Sequence, residues 1–196
     1  MVFAFYNRLS ASRRRVYDRS DRLAAPRLNS ALFAEATAAL GAALDSGRQP
    51  AVREATQVIA DGFAAALKLP PVEVVVKRKR PERSGSEYHG LYAGEEDGLV
   101  AEITLWMFTA RRRQVVAFRT FLRTLVHELC HHLDFGGFQL PESFHTEGFY
   151  QRESALFRDI VGEPRDAASS RRPSEREKEE KLSPVGREEE TRRGEV

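Results

Sequence analysis

One stretch of the chain decides the fold, residues 118–137, which read FRTFLRTLVHELCHHLDFGG. Its apolar residues recur at spacings of three and four, the period of one face of an α-helix. These residues are Phe118, Phe121, Leu122, Leu125, Val126, Leu129 and Leu133. An apolar face of that length predicts a long and largely buried helix, and Gly136-Gly137 predicts its end.

The polar side of this helix contains two histidines that are four positions apart. His127 and His131 therefore project from one face and can bind a single metal ion. Neutral imidazoles suit zinc, whose charge lowers the pKa of a bound water toward about 7. Glu128 follows His127 directly and is placed to act as general base rather than as a ligand. The alternative interpretation is a set of hydrogen-bonded core histidines beside a buried carboxylate.

Catalytic zinc sites usually take a third protein ligand. After the adjacent His132, the next histidine is His145, which thirteen residues separate from His131. That segment includes the Gly-Gly pair, so the chain can turn back toward the helix. We predict His145 as the third ligand. Its competitors are Glu142, Glu147 and Glu153.

The residues around these ligands resemble a known family. His-Glu-Leu-Cys-His at 127–131, followed by a loop and by Phe-His-x-x-x-Phe at 144–149, resembles the zincin metallopeptidases, especially their SprT-like (Spartan-type) branch. The resemblance covers about residues 100–157. It implies that His127, His131 and His145 bind zinc and that Glu128 is catalytic. It also implies a small sheet, one edge strand of which binds an extended peptide by strand addition.

Two departures from that family indicate a distinct branch. The chain has no cysteine pairs for the second zinc module that some relatives contain, because Cys130 is its only cysteine. The helical region that precedes the strands also has no match in the family pattern.

The rest of the sequence predicts an α+β fold. Helices are expected over residues 9–23, 28–44, 50–69 and 147–160, and strands over residues 72–77, 88–93 and 100–107. The second helix is expected to bury a stripe formed by Leu32, Ala36, Leu40 and Leu44. Helices, then strands, then helices differ from the alternating pattern of a doubly wound sheet. We therefore expect a zincin-like fold with N-terminal helices, a small three-stranded sheet, a long buried active-site helix and a closing C-terminal helix.

The composition changes sharply after residue 162. Residues 163–196 contain no aromatic residue, nine Lys or Arg and ten Asp or Glu. Such a segment buries too little apolar surface to offset the entropy of ordering it. We therefore predict a metallopeptidase domain over residues 1–162 and a disordered charged tail over residues 163–196.

Cysteine content and apolar runs predict the compartment. With Cys130 alone, no intramolecular disulfide can form, which favours a reducing environment. No stretch approaches the roughly 18 apolar residues of a membrane span, and the apolar start at residues 1–6 is too short for a signal-peptide core. We expect a soluble cytoplasmic protein without a membrane partner.

The distribution of charge bears on a nucleic-acid partner. The formal net charge of +2 is too small to imply nucleic-acid binding by itself. Basic clusters at residues 13–15, 77–83 and 111–123 predict solvated loop ends or, alternatively, a phosphate-binding surface. Acidic residues interleaved at residues 82–97 favour the first interpretation.

Several further residues are candidates for supporting roles. Tyr88, His89, Tyr92 and Tyr150 are candidates to stabilise the oxyanion. His132 points about 100° away from His131, which favours a place at the surface or behind a ligand. Cys130 is expected to pack in the core, and Asp134 is a candidate to orient a ligand imidazole.

The sequence therefore supports two hypotheses of different classes. The first is a zinc-dependent hydrolase, an endopeptidase acting on protein or peptide substrates, with Glu128 as its base. The second is a non-catalytic zincin-fold binding module that associates with nucleic acid. An intact Glu128 favours the first, because a structural metal site gains nothing from a base beside an open coordination position.

Overall fold

The computed structural model describes residues 3, 5–78, 90–95, 99–109 and 114–165, and the chain divides into two units after Arg165. Within the described residues there are five α-helices and one three-stranded sheet, which confirms the predicted α+β class. Most of the predicted tail, residues 166–196, lies outside the described residues. None of the described helices combines the length and the apolarity needed to cross a membrane.

Three helices precede the sheet. They are α1 (Ala11–Arg22), α2 (Ala34–Ser46) and α3 (Gln49–Leu67). Ser10 caps α1, since its Oγ accepts a hydrogen bond from the Arg13 amide at 3.3 Å. Gly47 ends α2 in the left-handed conformation, with φ of 65°, as expected for a glycine after a helix.

The predicted stripe of the second helix is wrong at Leu32. A 3₁₀ turn at Ser30–Leu32 precedes α2, and Leu32 is 63% exposed, whereas the adjacent Phe33 is buried. A 3₁₀ turn has three residues per turn, so the 3.6-residue period of α2 does not extend back through it. Leu40 and Leu44, which lie within α2, are buried as predicted.

The sheet has a mixed topology. Its strands are β1 (Val72–Lys77), β2 (Gly90–Ala93) and β3 (Ala101–Trp106), in the order β1-β3-β2. β3 is parallel to β1 and antiparallel to β2. The strands agree with the prediction, except that β3 is one residue shorter at each end and that residues 88 and 89 lie outside the described residues. β1 and β2 are the edge strands.

Glutamine side chains from α3 close the outer edge of β1. Gln57 donates to the Val72 carbonyl at 2.8 Å and accepts from the Val74 amide at 2.7 Å. Gln49 donates to the Val76 carbonyl at 2.6 Å. These bonds use three backbone groups that an incoming strand would need. Among the described residues, no strand pairs with the outer edge of β2.

The predicted long helix is α4 (Phe118–His132), which packs against β2, β3 and the closing helix α5 (Glu147–Val161). α4 continues into a π-helical turn at Leu133–Gly137. Thr146 caps α5, because its Oγ1 accepts from the Phe149 amide at 3.0 Å.

Gly136 and Gly137, which follow α4, lie where the packing leaves little room for a side chain, and their backbone is not left-handed. Among the described glycines, only Gly47 and Gly162 have positive φ. A Cβ on Gly137 would lie 2.8 Å from Leu133 Cδ1, and one on Gly136 would lie 3.0 Å from Pro70 Cδ. The predicted helix end is confirmed, but its cause is the close packing of the turn.

Candidate metal centre

The three predicted ligands meet at one point. His145 Nε2 lies 3.0 Å from His127 Nε2 and 3.1 Å from His131 Nε2. All ligand atoms of this group lie within 4.8 Å of one another. Three nitrogens that bind a tetrahedral ion at 2.0–2.1 Å would be about 3.4 Å apart. The three imidazoles are therefore close enough to hold a metal ion.

Two segments of the chain carry these imidazoles. His127 and His131 lie on successive turns of α4, and His145 lies in the loop just before the Thr146 cap of α5. The buried ring of Phe149 packs beneath all three, at centroid distances of 5.1, 4.9 and 5.0 Å. Phe149 thus fixes the base of the site and separates it from the core.

A carboxylate orients His127. Its Nδ1 lies 2.9 Å from Glu153 Oε2. An ionised carboxylate only accepts hydrogen bonds, so Nδ1 donates and Nε2 keeps its lone pair. Glu153 Oε1 accepts in turn from Arg123 at 3.1 Å. Glu153, which the sequence allows as a competing third ligand, therefore lies behind His127 rather than in the ligand set.

A hydroxyl and a carboxylate orient His131. Its Nδ1 lies 2.7 Å from Ser143 Oγ, which donates to Asp134 Oδ2 at 2.7 Å. Since the Ser143 proton goes to Asp134, Ser143 accepts from His131 Nδ1, and the lone pair of His131 remains on Nε2. Asp134 thus orients a ligand as predicted, through an intervening serine that the sequence does not indicate.

These two tautomers make a cation the best occupant of the centre. His127 and His131 both direct an Nε2 lone pair at the site, and His145 Nε2 has at most one proton to share between them. Burial and repulsion by the other two imidazoles lower the pKa of His131 to about 3. Burial also lowers the pKa of His145. Uncharged imidazoles are the form that binds metal ions.

A buried arginine connects this network to the N-terminal helix. Arg152 donates to Asp134 Oδ1 at 2.9 Å, to the Ser20 carbonyl at 2.6 Å and to the Leu23 carbonyl at 3.1 Å. Burial raises the pKa of Asp134, whereas the contacts with Arg152 and Ser143 oppose that rise. Helix α1 and the residue that follows it thus support the candidate metal centre through Arg152.

Glu128 lies in the same cleft as the ligands and is buried. Burial raises the pKa of Glu128 to about 7, and the neighbouring His127 opposes that rise. Strand β2 passes directly over this carboxylate. A Cβ built on Gly90 would lie 2.4 Å from Glu128 Oε1, so any larger residue there would displace the Glu128 side chain or β2. The sequence gives no sign of this role for Gly90.

The ligands open into a cleft of about 900 Å³ between α4, β2 and α5. A cleft of that volume accommodates a sizeable ligand. Besides the ligands and Glu128, its lining includes Gly90, Leu91, Tyr92, Arg119, Arg123, Phe135 and Tyr150.

His132 is a hydrogen-bonded core histidine that lies outside the ligand group, as expected, and of the two expected places its burial excludes the surface. It is buried, and its Nε2 lies 3.0 Å from the Pro70 carbonyl. A carbonyl only accepts, so Nε2 donates and Nδ1 accepts from the Tyr92 hydroxyl at 3.1 Å. Cys130 is fully buried in the core, as predicted.

The same contacts separate the oxyanion candidates. The Tyr92 hydroxyl is bonded to His132, and burial raises the pKa of Tyr92 to about 12. Tyr150 is 43% exposed, lines the cleft and stacks on His145 at 5.8 Å between ring centroids. Tyr88 and His89 lie outside the described residues. Tyr150 is therefore the candidate that the described geometry favours.

Three described members of the basic clusters, Arg13, Arg119 and Arg123, contact acidic residues. Arg13 Nε donates to both carboxylate oxygens of Glu142, at 3.0 and 2.8 Å. Arg119 pairs with Glu163 at 2.8 Å, which places the first residue of the predicted tail against α4. Residues 79–83 and 111–113 lie outside the described residues. The pairing favours the interpretation of these clusters as solvated and structural.

Similarity to known proteins gives no further guide to the chemistry of this site. Comparison of the chain with protein-family models, with curated proteins and with solved structures finds no match. The function of the centre must therefore be inferred from its side chains.

Proposed function

We propose that this protein is a zinc-dependent metallopeptidase of zincin-like fold, which hydrolyses internal peptide bonds of protein or peptide substrates. One observation above all supports the proposal. Two imidazoles whose lone pairs are fixed by Glu153 and Ser143 converge with a third on one point, beside a buried glutamate.

The donor set supports zinc as the ion. His127, His131 and His145 offer three neutral nitrogens, a common ligand set of catalytic zinc. When bound, zinc supplies a Lewis acid and lowers the pKa of a coordinated water toward about 7.

The chain's own residues supply the proton transfers. Glu128 faces the cleft one position after His127, so its carboxylate can take the proton of the attacking water and deliver it to the leaving nitrogen. The hydroxyl of Tyr150 is the group we assign to stabilise the negative charge that develops on the carbonyl oxygen. Glu153 and Ser143 hold the imidazoles of His127 and His131 in fixed orientations during these proton transfers.

The sheet supports a peptide as the substrate. The outer edge of β1 is closed by Gln49 and Gln57, whereas β2 borders the cleft next to Glu128. An extended chain that added to the outer edge of β2 would bring its backbone past the catalytic glutamate. The small sheet with an edge strand beside the cleft supports the zincin-like fold as part of this proposal.

Replacement of Glu128 by glutamine tests the proposal. Glutamine keeps the shape of the side chain but cannot accept the proton, so turnover of an unfolded, fluorescently labelled protein should fall by about 100-fold or more. The zinc content, measured by atomic emission, should stay at the wild-type value. Glu54→Gln, at an exposed position on α3, is the matched control and should retain wild-type turnover.

Two outcomes would contradict the proposal. Wild-type turnover in Glu128→Gln would exclude the mechanism. Zinc binding by the wild-type protein without cleavage of any unfolded substrate would favour the non-catalytic binding module instead.

A further inference from the structure

The floor of the cleft is one stripe of α4 and the turn that follows it. The stripe consists of Arg119, Arg123, His127, His131 and Phe135, which are spaced by four residues and all line the cleft. At 1.5 Å per residue, residues 119–135 span roughly 24 Å, the length of about seven residues of an extended chain. The cleft therefore accommodates more of a peptide than the scissile bond alone.

The metal ligands divide this stripe into two unequal arms. The point midway between His127 and His131 lies about 15 Å along the helix from Arg119 and about 9 Å from Phe135. At about 3.3 Å per extended residue, the longer arm holds four or five residues and the shorter arm about three. The two ends of the stripe also differ in their chemistry.

The longer arm ends in Arg119 and Arg123, each of which already pairs with a carboxylate of its own. The guanidinium groups of Arg119 and Arg123 pack over the Phe157 ring, at 5.1 and 4.3 Å from its centroid. Arg119 donates to Glu163, and this hydrogen bond lowers the pKa of Glu163. The side chains of this pair are 60% and 45% exposed, so the pair contributes little stability and can exchange partners. A substrate carboxylate can replace Glu163 at this position.

The shorter arm ends in exposed aromatic surface. Phe135 is 37% exposed and stacks in parallel on Tyr92, at 5.7 Å between centroids and 8° between planes. Leu91 of β2 is half exposed and lines the same cleft. Exposed apolar groups at the rim of a cleft are suited to bind an apolar side chain of a ligand.

We infer that the cleft selects extended peptides that carry two recognition residues, one on each side of the scissile bond. One residue is apolar or aromatic and lies about three positions from that bond. The other is acidic and lies four or five positions from it. This inference rests on the proposed peptidase function, and it names the class of substrate. The separation of the two residues follows from the length of the stripe. Arg119 and Phe135 are the residues that determine the specificity.

Peptide binding to zinc-loaded Glu128→Gln protein tests the inference without requiring cleavage. The probes are fluorescein-labelled peptides that share one aromatic residue and carry Glu, Gln or Lys at the acidic position. Each is made in two chain orders, with the acidic position either N-terminal or C-terminal to the aromatic residue. In one chain order, fluorescence anisotropy at low salt should give the Glu peptide a Kd about ten-fold below that of the Lys peptide, with the Gln peptide between them. The order that shows the effect gives the direction in which the peptide lies.

Charge reversal identifies the arginine. In the Glu128→Gln background, Arg119→Glu should reverse the preference, so that the Lys peptide binds more tightly than the Glu peptide. Glu163→Gln removes the resident carboxylate and should tighten binding of the Glu peptide. The control is Arg53→Glu, at an exposed arginine of α3 that pairs with Glu73; it should leave the order of affinities unchanged.

The outcomes separate this inference from the proposed function. Equal Kd values for the Glu and Lys peptides in both orders, or an unchanged preference in Arg119→Glu, would overturn the inference even if wild-type protein cleaves the peptides. Charge-dependent binding without cleavage by the wild-type protein would overturn the peptidase function and leave the assigned ends of the cleft intact. In the wild-type protein, kcat/KM for the peptides should follow the same order as the affinities.

Discussion

Replacing Gly90 by alanine would show whether the close approach of β2 holds the carboxylate of Glu128, the proposed general base, in place. Gly90 is the first residue of β2, and its Cα faces Glu128 without an intervening side chain. The substitution adds one methyl group to a strand that takes no part in the hydrogen bonds described for His127, His131 and His145. It therefore tests the position of the base separately from the binding of the metal.

The magnitude follows from the three nearest atoms. The added Cβ would lie 2.4 Å from Glu128 Oε1, 2.8 Å from Cγ and 2.9 Å from Cδ, whereas ordinary contacts begin near 3.4 Å. Because all three atoms belong to one buried side chain, Glu128 or β2 must move by about 1 Å. A displacement of that size at a reacting group reduces the rate by about 100-fold, which corresponds to about 2.7 kcal/mol in the activation free energy.

Steady-state hydrolysis of a peptide, with zinc content measured in parallel, decides the outcome. We expect kcat of Gly90→Ala to fall by about 100-fold while zinc binding stays at the wild-type value. Gly94→Ala is the matched control, since its Cβ would meet only Tyr92 Cε1 at an ordinary 3.8 Å. Equal kcat in the two variants would refute the reasoning, and loss of zinc from Gly90→Ala would show that β2 supports the ligands instead.

Three other expectations concern the groups behind the ligands. Ser143→Ala should weaken zinc affinity by about 10- to 100-fold in a chelator competition, and an affinity equal to wild type would remove the serine from the site. Arg152→Ala leaves the buried Asp134 carboxylate unpaired, so urea unfolding of the metal-free protein should show a loss of about 3–5 kcal/mol; a loss under about 1 kcal/mol would contradict a buried ion pair. Burial and the other two imidazoles lower the pKa of His131 to about 3, so this imidazole has no proton to release when a metal ion binds at pH 5.5. An imidazole of ordinary pKa near 6.5 would weaken binding by about 10-fold between pH 7.5 and pH 5.5. We expect an NMR titration of the metal-free protein to show no protonation of His131 in this range, and a midpoint near pH 6.5 would contradict the reasoning.

The parts of the site that sequence predicts are those whose geometry is local. His127 and His131 lie on one face because the helical period alone puts them there. His145 is predictable because a glycine pair marks the point where the chain leaves α4, and a histidine follows within reach. The same reasoning fails at Leu32, where one 3₁₀ turn shifts the period of the next helix.

The groups that orient the ligands are not predictable in this way, because they depend on contacts between distant segments. Ser143 has no pattern of its own, and it acquires a role only where the loop crosses between His131 and Asp134. Gly90 is one of many glycines until β2 is laid on α4. For His132, the helical angle gives its direction, but whether that direction meets solvent or protein depends on Tyr92 and Pro70.

The arginine that joins α1 to α5 has a consequence for the time at which the metal site becomes complete. Arg152 binds backbone carbonyls 132 and 129 positions earlier in the chain. During synthesis the carbonyls of Ser20 and Leu23 therefore emerge long before their partner. Contacts across so long a loop are slow to form, because the loop entropy is lost before the contact stabilises the fold. The contacts between α1 and α5 can therefore form only after α5 has left the ribosome, and metal retention should mark the molecules in which α1 has docked onto α5.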